Sequence, residues 1–400
     1  MRTSRPSGVE VVLALAGLLG GVAACDGGAD LSGGGGAGSE TATDAGAPGA
    51  AGIGGAGAGA SGGRTGGAGA SGDTGGAGGS TGSATTGGAG GSAIGSGGGA
   101  GSGSITGGAT SGGIKHVFVI TMENEAAAAI YGSASAPYIN SLLGTSARAN
   151  TFGDPLPDAI PSEPHYVWME AGTNQFGDAT FTTDADPSAQ NSTASTAHLA
   201  TQMDAASPPV SWLSYQEGLN AATGACPVHS SGLYAAKHDP YVFFQDVAGN
   251  PPSTSSALCV AHHRAYTAAA LAQDLQAGTV AQYNFITPNL CHDMHGAPGC
   301  QGSDNIRSGD DWLAAALPPL IAYANANDGV IFIVWDEPVG GSTLIPFVAI
   351  GPQVKPDYGS SVRFTHGSLT KTVEEIFGLP ILPTVASAND LSDLFLPGTF

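Results

Sequence analysis

The sequence predicts an α/β fold, a three-layer sandwich in which helices cover both faces of a mostly parallel sheet. Three observations predict it. The composition changes sharply near Ile114, where a long region rich in small residues gives way to one sizeable globular region. Several short, continuous apolar runs occur in the second region, and such runs are typical of strands buried on both faces of a parallel sheet. Helical patterns alternate with these runs along the chain.

The first 25 residues indicate an export signal. Arg2 and Arg5 precede an apolar run at residues 11–24 that is too short to span a bilayer. The ending VAAC resembles the lipobox of bacterial lipoproteins, in which a lipid is attached to the cysteine that becomes the new N-terminus, here Cys25. We therefore expect an exported protein, lipid-anchored at the cell envelope through several acyl chains, because one chain holds a protein only marginally. An ordinary cleaved signal, which would make the protein secreted, is the alternative.

Residues 26–113 consist almost entirely of Gly, Ala, Ser and Thr, and 39 of these 88 residues are glycine. They show no strict three-residue period, which excludes collagen. Because the segment has too little apolar surface to offset the entropy of ordering, we expect a disordered linker. Its mean end-to-end span would be roughly 50 Å, so it would act as a flexible tether.

Residues 114–400 form the predicted globular domain and hold every aromatic residue of the chain. They contain 26 of the 32 acidic and 8 of the 11 basic residues, which gives a net charge near −18. A charge of this sign argues against nucleic-acid binding. All ten histidines also lie in this domain. A surplus of acids and histidines favours a metal site.

Four cysteines fall in this domain, an even number that suits two disulfides in an exported protein. We favour the pairs Cys226 with Cys259 and Cys291 with Cys300, because each encloses a local loop, although the sequence does not fix the pairing. No CxxC pair exists, which argues against a thiolate zinc site.

Four apolar runs are predicted as strands. They lie at residues 115–121 (KHVFVIT), 280–287 (VAQYNFIT), 330–335 (VIFIVW) and 343–350 (TLIPFVAI). Helical patterns fall at residues 136–143, 197–205, 266–276, 310–325 and 368–377. This alternation places the strands in one sheet between two layers of helices.

Polar side chains follow three of the predicted strands. In open α/β sheets, ligands bind beyond the carboxyl ends of the strands. We therefore expect the following residues to gather at one edge of the sheet: Glu123, Asn124, Asn289, Asp293, His295, Asp336 and Glu337.

The carboxylates also have simpler explanations. Asp336 and Glu337 precede a proline and two glycines, which is turn chemistry. Glu123 and Asn124 would suit a helix N-terminus, where negative charge favours the helix dipole. However, two carboxylates packed together repel each other, and their pKa values rise unless a cation lies between them. Four oxygen ligands at two strand ends therefore favour a divalent metal ion, whose identity such ligands leave open.

Ser162 lies in the segment DAIPSEPHY (158–166), where a turn becomes a helix. A serine at such a position often acts only as a cap. A helix N-terminus, however, presents free backbone N–H groups and a partial positive charge, which stabilise a phosphate or oxyanion beside the hydroxyl. His366, in RFTHGSL (363–369), is either a neighbour of a second helix N-terminus or, if it faces the strand ends, part of the site.

The ordered set of motifs resembles the phosphoesterase family of bacterial acid phosphatases and phospholipases C, within the alkaline phosphatase superfamily, and most of all its secreted acid phosphatases. The resemblance spans residues 115–394, and its motifs are HVFVITMENE with APYINSLL, PSEPHY, NFITPNLCHDMHG, DDWLAAALPPLI, VIFIVWDE, IPFVAIGPQVKP and THGSLTKTVEEIFGLP. The resemblance implies an alkaline phosphatase-like core sheet and makes residues 114–400 a phosphoesterase catalytic domain.

The resemblance also implies roles for the residues at the strand ends and at the helix start. Glu123, Asn124, Asp336 and Glu337 would bind a divalent metal ion. Ser162 would be the nucleophile, since it matches the position that carries the nucleophile in the superfamily.

Four further residues fall where two-metal relatives place the ligands of a second ion. They are Asn289, Asp293, His295 and His366. The spacing departs from that pattern, because Asp293 follows Asn289 by four residues and His295 follows it by six. We therefore assign Asn289 and Asp293 to substrate binding, and His295 and His366 to proton transfer in catalysis.

Lys237 and His238, in YAAKHDPYVFF, also resemble a family motif, and a cation beside an imidazole would hold a phosphate oxygen. A surface turn with a solvated lysine is the alternative. His262 and His263 have no partner in the sequence and are not assigned to the site.

Together these roles predict metal-dependent hydrolysis of phosphate monoesters through a phosphoserine intermediate. The expected substrate is a small-molecule or lipid phosphate ester, and membrane contact is expected only through the N-terminal lipid anchor. A phospholipase C-type phosphodiesterase acting on lipid head groups is the nearest alternative, because the same metal and serine serve both reactions. A non-catalytic surface binding module is the second alternative, and the presence of all the acids, the serine and the histidines argues against it.

Overall fold

The computed structural model describes residues 113–157, 159–220 and 222–400. The predicted signal peptide at residues 1–25, with Cys25, and nearly all of the predicted linker at residues 26–113 lie outside the described residues. Within the described residues, no helix combines the length and the apolar character that crossing a membrane requires.

Eight strands form one sheet. They are β1 (His116–Met122), β2 (Ala147–Ala149), β3 (Trp212–Glu217), β4 (His263–Tyr266), β5 (Tyr283–Thr287), β6 (Gly329–Trp335), β7 (Phe347–Ile350) and β8 (Tyr358–Ser360). Their order is β4-β3-β5-β1-β6-β7-β2-β8. All neighbouring strands are parallel except β7, which runs antiparallel to β6 and β2. The other seven strands end at the same edge of the sheet, called the C-terminal edge below; the opposite edge is called the N-terminal edge.

Nine α-helices occur in the described part of the chain. They are α1 (Ala127–Ile130), α2 (Pro137–Leu142), α3 (Ser162–Ala171), α4 (Leu199–Ala205), α5 (Gln245–Ala248), α6 (Ala257–His262), α7 (Ala268–Ala277), α8 (Asn305–Ala326) and α9 (His366–Phe377). Short 3₁₀ helices cover Ala236–His238, Pro240–Phe243 and Leu391–Leu394. The five predicted helices correspond to α2, α4, α7, α8 and α9, with ends shifted by a few residues.

The apolar runs form strands because the sheet buries them on both faces. Every residue of β6 is buried, as is every residue of β1 except His116. The two strands pair along their whole length, from His116 with Gly329 to Met122 with Trp335. β1, β5, β6 and β7 coincide with the four predicted strands, which confirms the α/β prediction.

Helices cover both faces of this sheet. Phe118 of β1 makes an edge contact with Tyr323 of α8, with ring centroids 6.0 Å apart. Phe285 of β5 makes an edge contact at 6.3 Å with Tyr166 of α3. Phe285 is the sheet partner of Val119, and neighbouring residues of a strand point to opposite faces. α8 and α3 therefore lie on opposite faces, which gives the predicted three layers.

Both disulfides join the pairs that we favoured. Cys226 is bonded to Cys259, and Cys291 to Cys300. The first closes a loop of 33 residues between β3 and β4, and the second closes a loop of 9 residues after β5. The second loop carries Asp293, so the disulfide limits the freedom of a predicted site residue.

Candidate active site

The two central strands bring oxygen-bearing side chains together at the C-terminal edge. Met122 and Trp335 pair in the sheet, so that Glu123 and Asp336 leave neighbouring strands at the same level. The backbone N–H of Asp336 donates to the Met122 carbonyl at 3.0 Å. The backbone N–H of Asn124 donates to Asp336 Oδ1 at 2.9 Å, and its side-chain amide donates to Glu123 Oε2 at 3.3 Å. Glu123 and Asp336 are both completely buried.

Ser162 is the first residue of α3, and its hydroxyl faces these acids. Ser162 Oγ lies 3.1 Å from Glu123 Oε2 and 3.3 Å from Glu337 Oε1. The N-cap position of α3 is Pro161, and it has no side-chain capping hydrogen bond. Ser162 is therefore not a cap, and its hydroxyl lies among carboxylates at the positive end of a helix.

A second group of buried polar side chains adjoins Glu123. His238 Nε2 lies 3.3 Å from Glu123 Oε1, and His238 Nδ1 lies 3.6 Å from Asp293 Oδ2. The ring of Tyr166 stacks on His238 with centroids 4.9 Å apart and planes inclined by 11°. The imidazole thus lies between two carboxylates and is held in place by an aromatic face.

Lys237 brings a positive charge to this group. Its ammonium pairs with Asp184, and its side chain is 21% exposed. Burial alone would lower the pKa of Lys237, but the hydrogen bond that Lys237 donates to Asp184 and the charge of Glu123 outweigh it and raise the pKa. The positive charge of Lys237 in turn offsets a small part of the rise that burial causes in the pKa of Glu123 and Asp293. Lys237 is therefore an anchored, permanently charged side chain that faces the acids.

Burial and mutual repulsion strongly perturb the acids. Burial, followed by the charges of Asp336 and Asp293, raises the pKa of Glu123 well above its usual value. Burial also raises the pKa of Asp293 and of Asp336. Burial and the charge of Asp336 raise the pKa of Glu337 to about 7. Carboxylates in this arrangement lack the positive charge that would let all of them ionise at neutral pH.

The donor set fits a divalent cation. Glu123 Oε1, Asp293 Oδ2 and Asp336 Oδ2 are buried and have no hydrogen-bond partner among the described residues. Buried oxygens without partners are costly, and a hard cation satisfies them with oxygen ligands. No three His, Cys, Asp or Glu side chains of the described residues converge as a preformed metal cage. A cation bound here would therefore also draw on the oxygens of Asn124 and Ser162.

A histidine and an aspartate that the sequence analysis missed lie beside Ser162. His165 Nδ1 donates to the Pro161 carbonyl at 2.9 Å, and His165 Nε2 contacts Asp154 at 3.1 Å. Burial alone would lower the pKa of His165, but the hydrogen bond and charge of Asp154 outweigh it and raise the pKa to about 9. The positive charge of His165 opposes the rise that burial causes in the pKa of Asp336 and Glu337.

The two histidines that were assigned to proton transfer lie in different surroundings. His295 is exposed; its Nδ1 lies 2.7 Å from the Gly296 carbonyl, and its ring lies 6.4 Å from that of His238. His366 is completely buried, and its Nε2 donates to the Trp335 carbonyl at 3.0 Å. Burial lowers the pKa of His366 to about 4. His295 is thus open to a substrate, whereas His366 is enclosed, with its Nδ1 unpaired among the described residues and its ring 6.2 Å from that of His165.

The remaining predicted substrate ligand, Asn289, is engaged in its own turn. Its amide oxygen accepts a hydrogen bond from the Cys291 backbone N–H at 2.9 Å, and its own N–H donates to Glu217 at 3.0 Å. Asp293 also shapes this turn, because its Oδ1 accepts from the His295 N–H at 2.8 Å, while its Oδ2 has no hydrogen-bond partner among the described residues. The turn therefore presents Asp293 and His295 to the site.

The positions of His165 and Tyr166 relative to Ser162 are visible in the sequence as a helical spacing. They follow Ser162 by three and four residues, which places them on the same face of α3. Asp154 and Asp184 lie in irregular segments, where no period marks them. His263, which was left unassigned, pairs with Asp239, with its Nε2 3.0 Å from Asp239 Oδ2.

The fold and this cluster define a hydrolase-type site at the C-terminal edge of an α/β sheet, and the chain belongs to the Phosphoesterase family. The model of that family matches residues 157–380. A phosphatidylinositol-3-phosphatase of Mycobacterium tuberculosis is 30% identical over 283 residues, which cover 70% of this chain and 82% of the relative. A phosphate-repressible acid phosphatase of Penicillium chrysogenum is 27% identical over 185 residues, which cover 43% of this chain and 40% of the relative. These findings support hydrolysis of phosphate esters.

Solved structures of similar architecture share little sequence with the chain. A murine ectonucleotide pyrophosphatase/phosphodiesterase 5 structure has a TM-score of 0.47 and 9% identity, and covers 70% of this chain and 100% of its own. An alkaline phosphatase superfamily protein of Vibrio parahaemolyticus has a TM-score of 0.42 and 11% identity, and covers 70% of each chain. The family assignment therefore depends on the family model and the sequence relatives.

Proposed function

We propose that the chain hydrolyses phosphate monoesters with Ser162 as the nucleophile. The observation that carries the proposal is the position of Ser162 Oγ, within 3.3 Å of two carboxylates at the N-terminus of α3. A carboxylate at hydrogen-bond distance accepts the proton of the attacking hydroxyl, and the helix N-terminus stabilises the negative charge on phosphorus-bound oxygens. The Mycobacterium relative, whose name specifies a phosphatidylinositol phosphate, supports a lipid or small-molecule phosphate ester as the substrate class.

The reaction has two steps. Ser162 Oγ attacks phosphorus, the bond from phosphorus to the alcohol oxygen breaks, and the serine proton passes to Glu123 or Glu337. His295, exposed beside Asp293, donates a proton to the departing alcohol. Water then cleaves the phosphoserine; His295 takes a proton from that water, and Ser162 regains its hydrogen. Lys237 and His238 orient the phosphate oxygens in both steps.

We also propose that Glu123, Asn124, Asp336 and Glu337 hold a divalent cation. When bound, the cation neutralises the acids and favours the ionised form of the serine hydroxyl. The buried carboxylate oxygens without partners and the raised pKa values of the acids support it.

The test of the nucleophile is Ser162→Ala assayed on an aryl phosphate. We expect turnover to fall by about 10³-fold or more, since loss of a nucleophile removes the covalent route. Acid quenching of wild type during turnover, followed by peptide mass spectrometry, should show phosphate on Ser162. Ser141→Ala, which changes an exposed serine of α2, is the control. Unchanged turnover in the Ser162→Ala variant would rule out the nucleophile.

The products distinguish a monoesterase from a phospholipase C-type diesterase. Vesicles that contain phosphatidylinositol 3-phosphate and phosphatidylcholine are incubated with the protein. We expect free phosphate and no phosphocholine. Release of phosphocholine would replace the monoesterase proposal with the diesterase, and no release from lipid or aryl phosphate would favour a non-catalytic module.

Export and lipid anchoring at Cys25 belong to the same proposal. Metabolic labelling with a radioactive fatty acid in a bacterial host tests it. Label in wild type that is lost in Cys25→Ser is the expected result, and label in neither protein would indicate an ordinary cleaved signal.

A further inference from the structure

Exposed apolar side chains collect at the edge of the sheet that holds the site. In the part of the chain that the structure describes, five large apolar residues are exposed, and three of them are Val339 (47%), Leu344 (36%) and Val362 (37%). We call these three the apolar rim. The other two, Ile381 and Leu396, lie at the N-terminal edge, after α9 and close to the end of β7.

The apolar rim belongs to segments that leave the sheet side by side. Val339 and Leu344 lie in the connection after β6, and Val362 follows β8, which is parallel to β2. Leu344 bridges to Gly153, in the segment after β2. The hydroxyl of Thr151, in the same segment, donates to the Val362 carbonyl at 2.6 Å. These contacts therefore join the three segments at the C-terminal edge of the sheet.

The rim also carries the one basic side chain without a protein partner among the described residues. Arg363 is exposed, and its guanidinium makes no hydrogen bond or ion pair with any described residue, whereas each of the other seven basic side chains does. Its neighbours line a cleft of about 210 Å³; they are Thr151, Gly153, Thr343, Leu344 and Ser361. A free guanidinium beside hydroxyl groups is suited to bind a phosphate oxygen.

We propose that the apolar rim and Arg363 dock the domain on a lipid surface that carries phosphate head groups. Valine and leucine side chains enter the boundary between head groups and acyl chains, while the guanidinium pairs with a lipid phosphate. The domain as a whole carries a net charge near −18, so a phosphate-bearing surface repels the rest of it. Contact is therefore confined to the rim, which orients the domain.

This orientation matters for the reaction, and the inference rests on the proposed function. Val339 follows Glu337 by two residues, and Gly153 precedes Asp154, which holds His165. Docking through the rim turns the open side of the site toward the lipid surface. A phosphate monoester on a lipid head group then reaches Ser162 without leaving the bilayer.

Vesicle binding tests the inference separately from catalysis. The chain from residue 26 onward keeps every described residue and lacks the predicted signal and Cys25. It is sedimented with vesicles of phosphatidylcholine and phosphatidylinositol, which contain lipid phosphate but no monoester to hydrolyse. Hydrolysis of a soluble aryl phosphate is measured on each variant and reports the proposed function alone.

Two rim variants and one matched control are compared. V339S/L344S/V362S should bind vesicles about tenfold less tightly or worse, because three apolar side chains no longer enter the boundary. Arg363→Ser should weaken binding about fivefold, the effect of one basic residue at a membrane surface. I381S/L396S removes the other two exposed large apolar side chains of the described residues, at the N-terminal edge, and should bind as wild type does. All variants should hydrolyse the aryl phosphate normally.

Four outcomes would overturn the inference. The first is that the wild-type protein stays in the supernatant, and the second is that the rim variants bind as tightly as wild type. The third is that the control variant loses as much binding as the rim variants. The fourth is that the wild-type protein is a dimer in solution and that the rim variants become monomers without losing vesicle binding. The last outcome would assign the rim to contact between copies of the chain. If the wild-type protein does not hydrolyse the aryl phosphate, that result would contradict the proposed function and not this inference.

Discussion

Ser162 Oγ and Glu123 Oε2 lie 3.1 Å apart, although 39 positions separate the two residues in the chain. The contact joins the start of α3 to the end of β1, so the helix that presents the hydroxyl is docked against the strand that presents the acid. Both side chains are buried. The free energy of this contact therefore depends on whether a cation neutralises the surrounding carboxylates.

Divalent metal should stabilise the wild-type protein, and this effect should disappear in Asp336→Asn. Metal at a hundred times its dissociation constant stabilises a folded protein by about 2.7 kcal/mol, which raises the melting temperature by several degrees for a domain of this size. In chelator, Asp336→Asn should be at least as stable as wild type, because it removes one of several buried like charges. Thermal unfolding and metal content by mass spectrometry measure both effects.

Asp311→Asn is the control for this prediction. Asp311 is exposed on α8, pairs with Arg307 and is not among the predicted metal ligands. It should keep the metal effect of wild type. Equal metal content in Asp336→Asn and wild type would refute the ligand assignment.

Lys237→Met should raise KM for an aryl phosphate more than it lowers kcat. A hydrogen bond to a charged group contributes about 1.5–3 kcal/mol, so kcat/KM should fall by about tenfold to a hundredfold. Asp184→Asn should cause a smaller rise in KM, because it removes the anchor of Lys237 and leaves the charge. Lys115→Met, which breaks an exposed pair with Asp328 at the N-terminal edge, should leave both constants unchanged. A Lys237→Met enzyme with unchanged KM would mean that Lys237 does not hold the substrate.

The centre of the fold could be predicted because its strands are apolar throughout. β1 and β6 are buried on both faces, so most of their residues are apolar, and the sequence shows each strand as a continuous apolar run. β2 and β8 have only three residues each, which is too short for any period to be detected. β3 (WLSYQE) and β4 (HRAY) carry polar residues that make tertiary contacts, such as Tyr215 with Asp274 and His263 with Asp239. Sequence patterns do not mark such strands.

The same distinction applies to the site. Glu123 and Asp336 directly follow apolar strands, so their positions were predictable from the rule for carboxyl ends of parallel strands. Asp154 and Asp184 act through His165 and Lys237, and each reaches its partner from an irregular segment. Such pairings depend on how loops cross the sheet edge, which a single sequence does not specify.

Removal of the two disulfides should have different effects on stability and activity. In the chain-entropy account, loss of the Cys226–Cys259 bond, with its 33-residue separation, costs about 4 kcal/mol, and loss of the Cys291–Cys300 bond, with its 9-residue separation, about 3 kcal/mol. The second loop carries Asp293 and His295, so C291A/C300A should also lower kcat. C226A/C259A should keep kcat at temperatures where it is folded. Denaturant unfolding and aryl phosphate kinetics measure the two effects, and equal loss of kcat in both variants would contradict the role of the second loop.

A buried histidine that is not part of the candidate site should make stability depend on pH. His198 is completely buried; its Nδ1 lies 2.9 Å from Glu170, and its Nε2 lies 3.1 Å from Asp246. Burial alone would lower the pKa of His198, but the hydrogen bonds that its ring donates to Asp246 and Glu170 outweigh it and raise the pKa to about 9. The folded protein therefore holds this proton more tightly than the unfolded chain does.

The direction of the effect follows from the raised pKa. The contribution of His198 is fully present below its unfolded pKa of about 6.5 and is lost as the pH rises through about 9. It amounts to at most about 3 kcal/mol. Other buried groups titrate as well, so the informative quantity is the difference between wild type and His198→Gln in denaturant unfolding at pH 6 and pH 9. That difference should be large at pH 6 and should shrink by pH 9, whereas His229→Gln, at an exposed position, should follow wild type at both. A difference that does not change with pH would show that His198 is neutral in the folded protein and stabilises it only by packing against Phe244, whose ring lies 3.9 Å away.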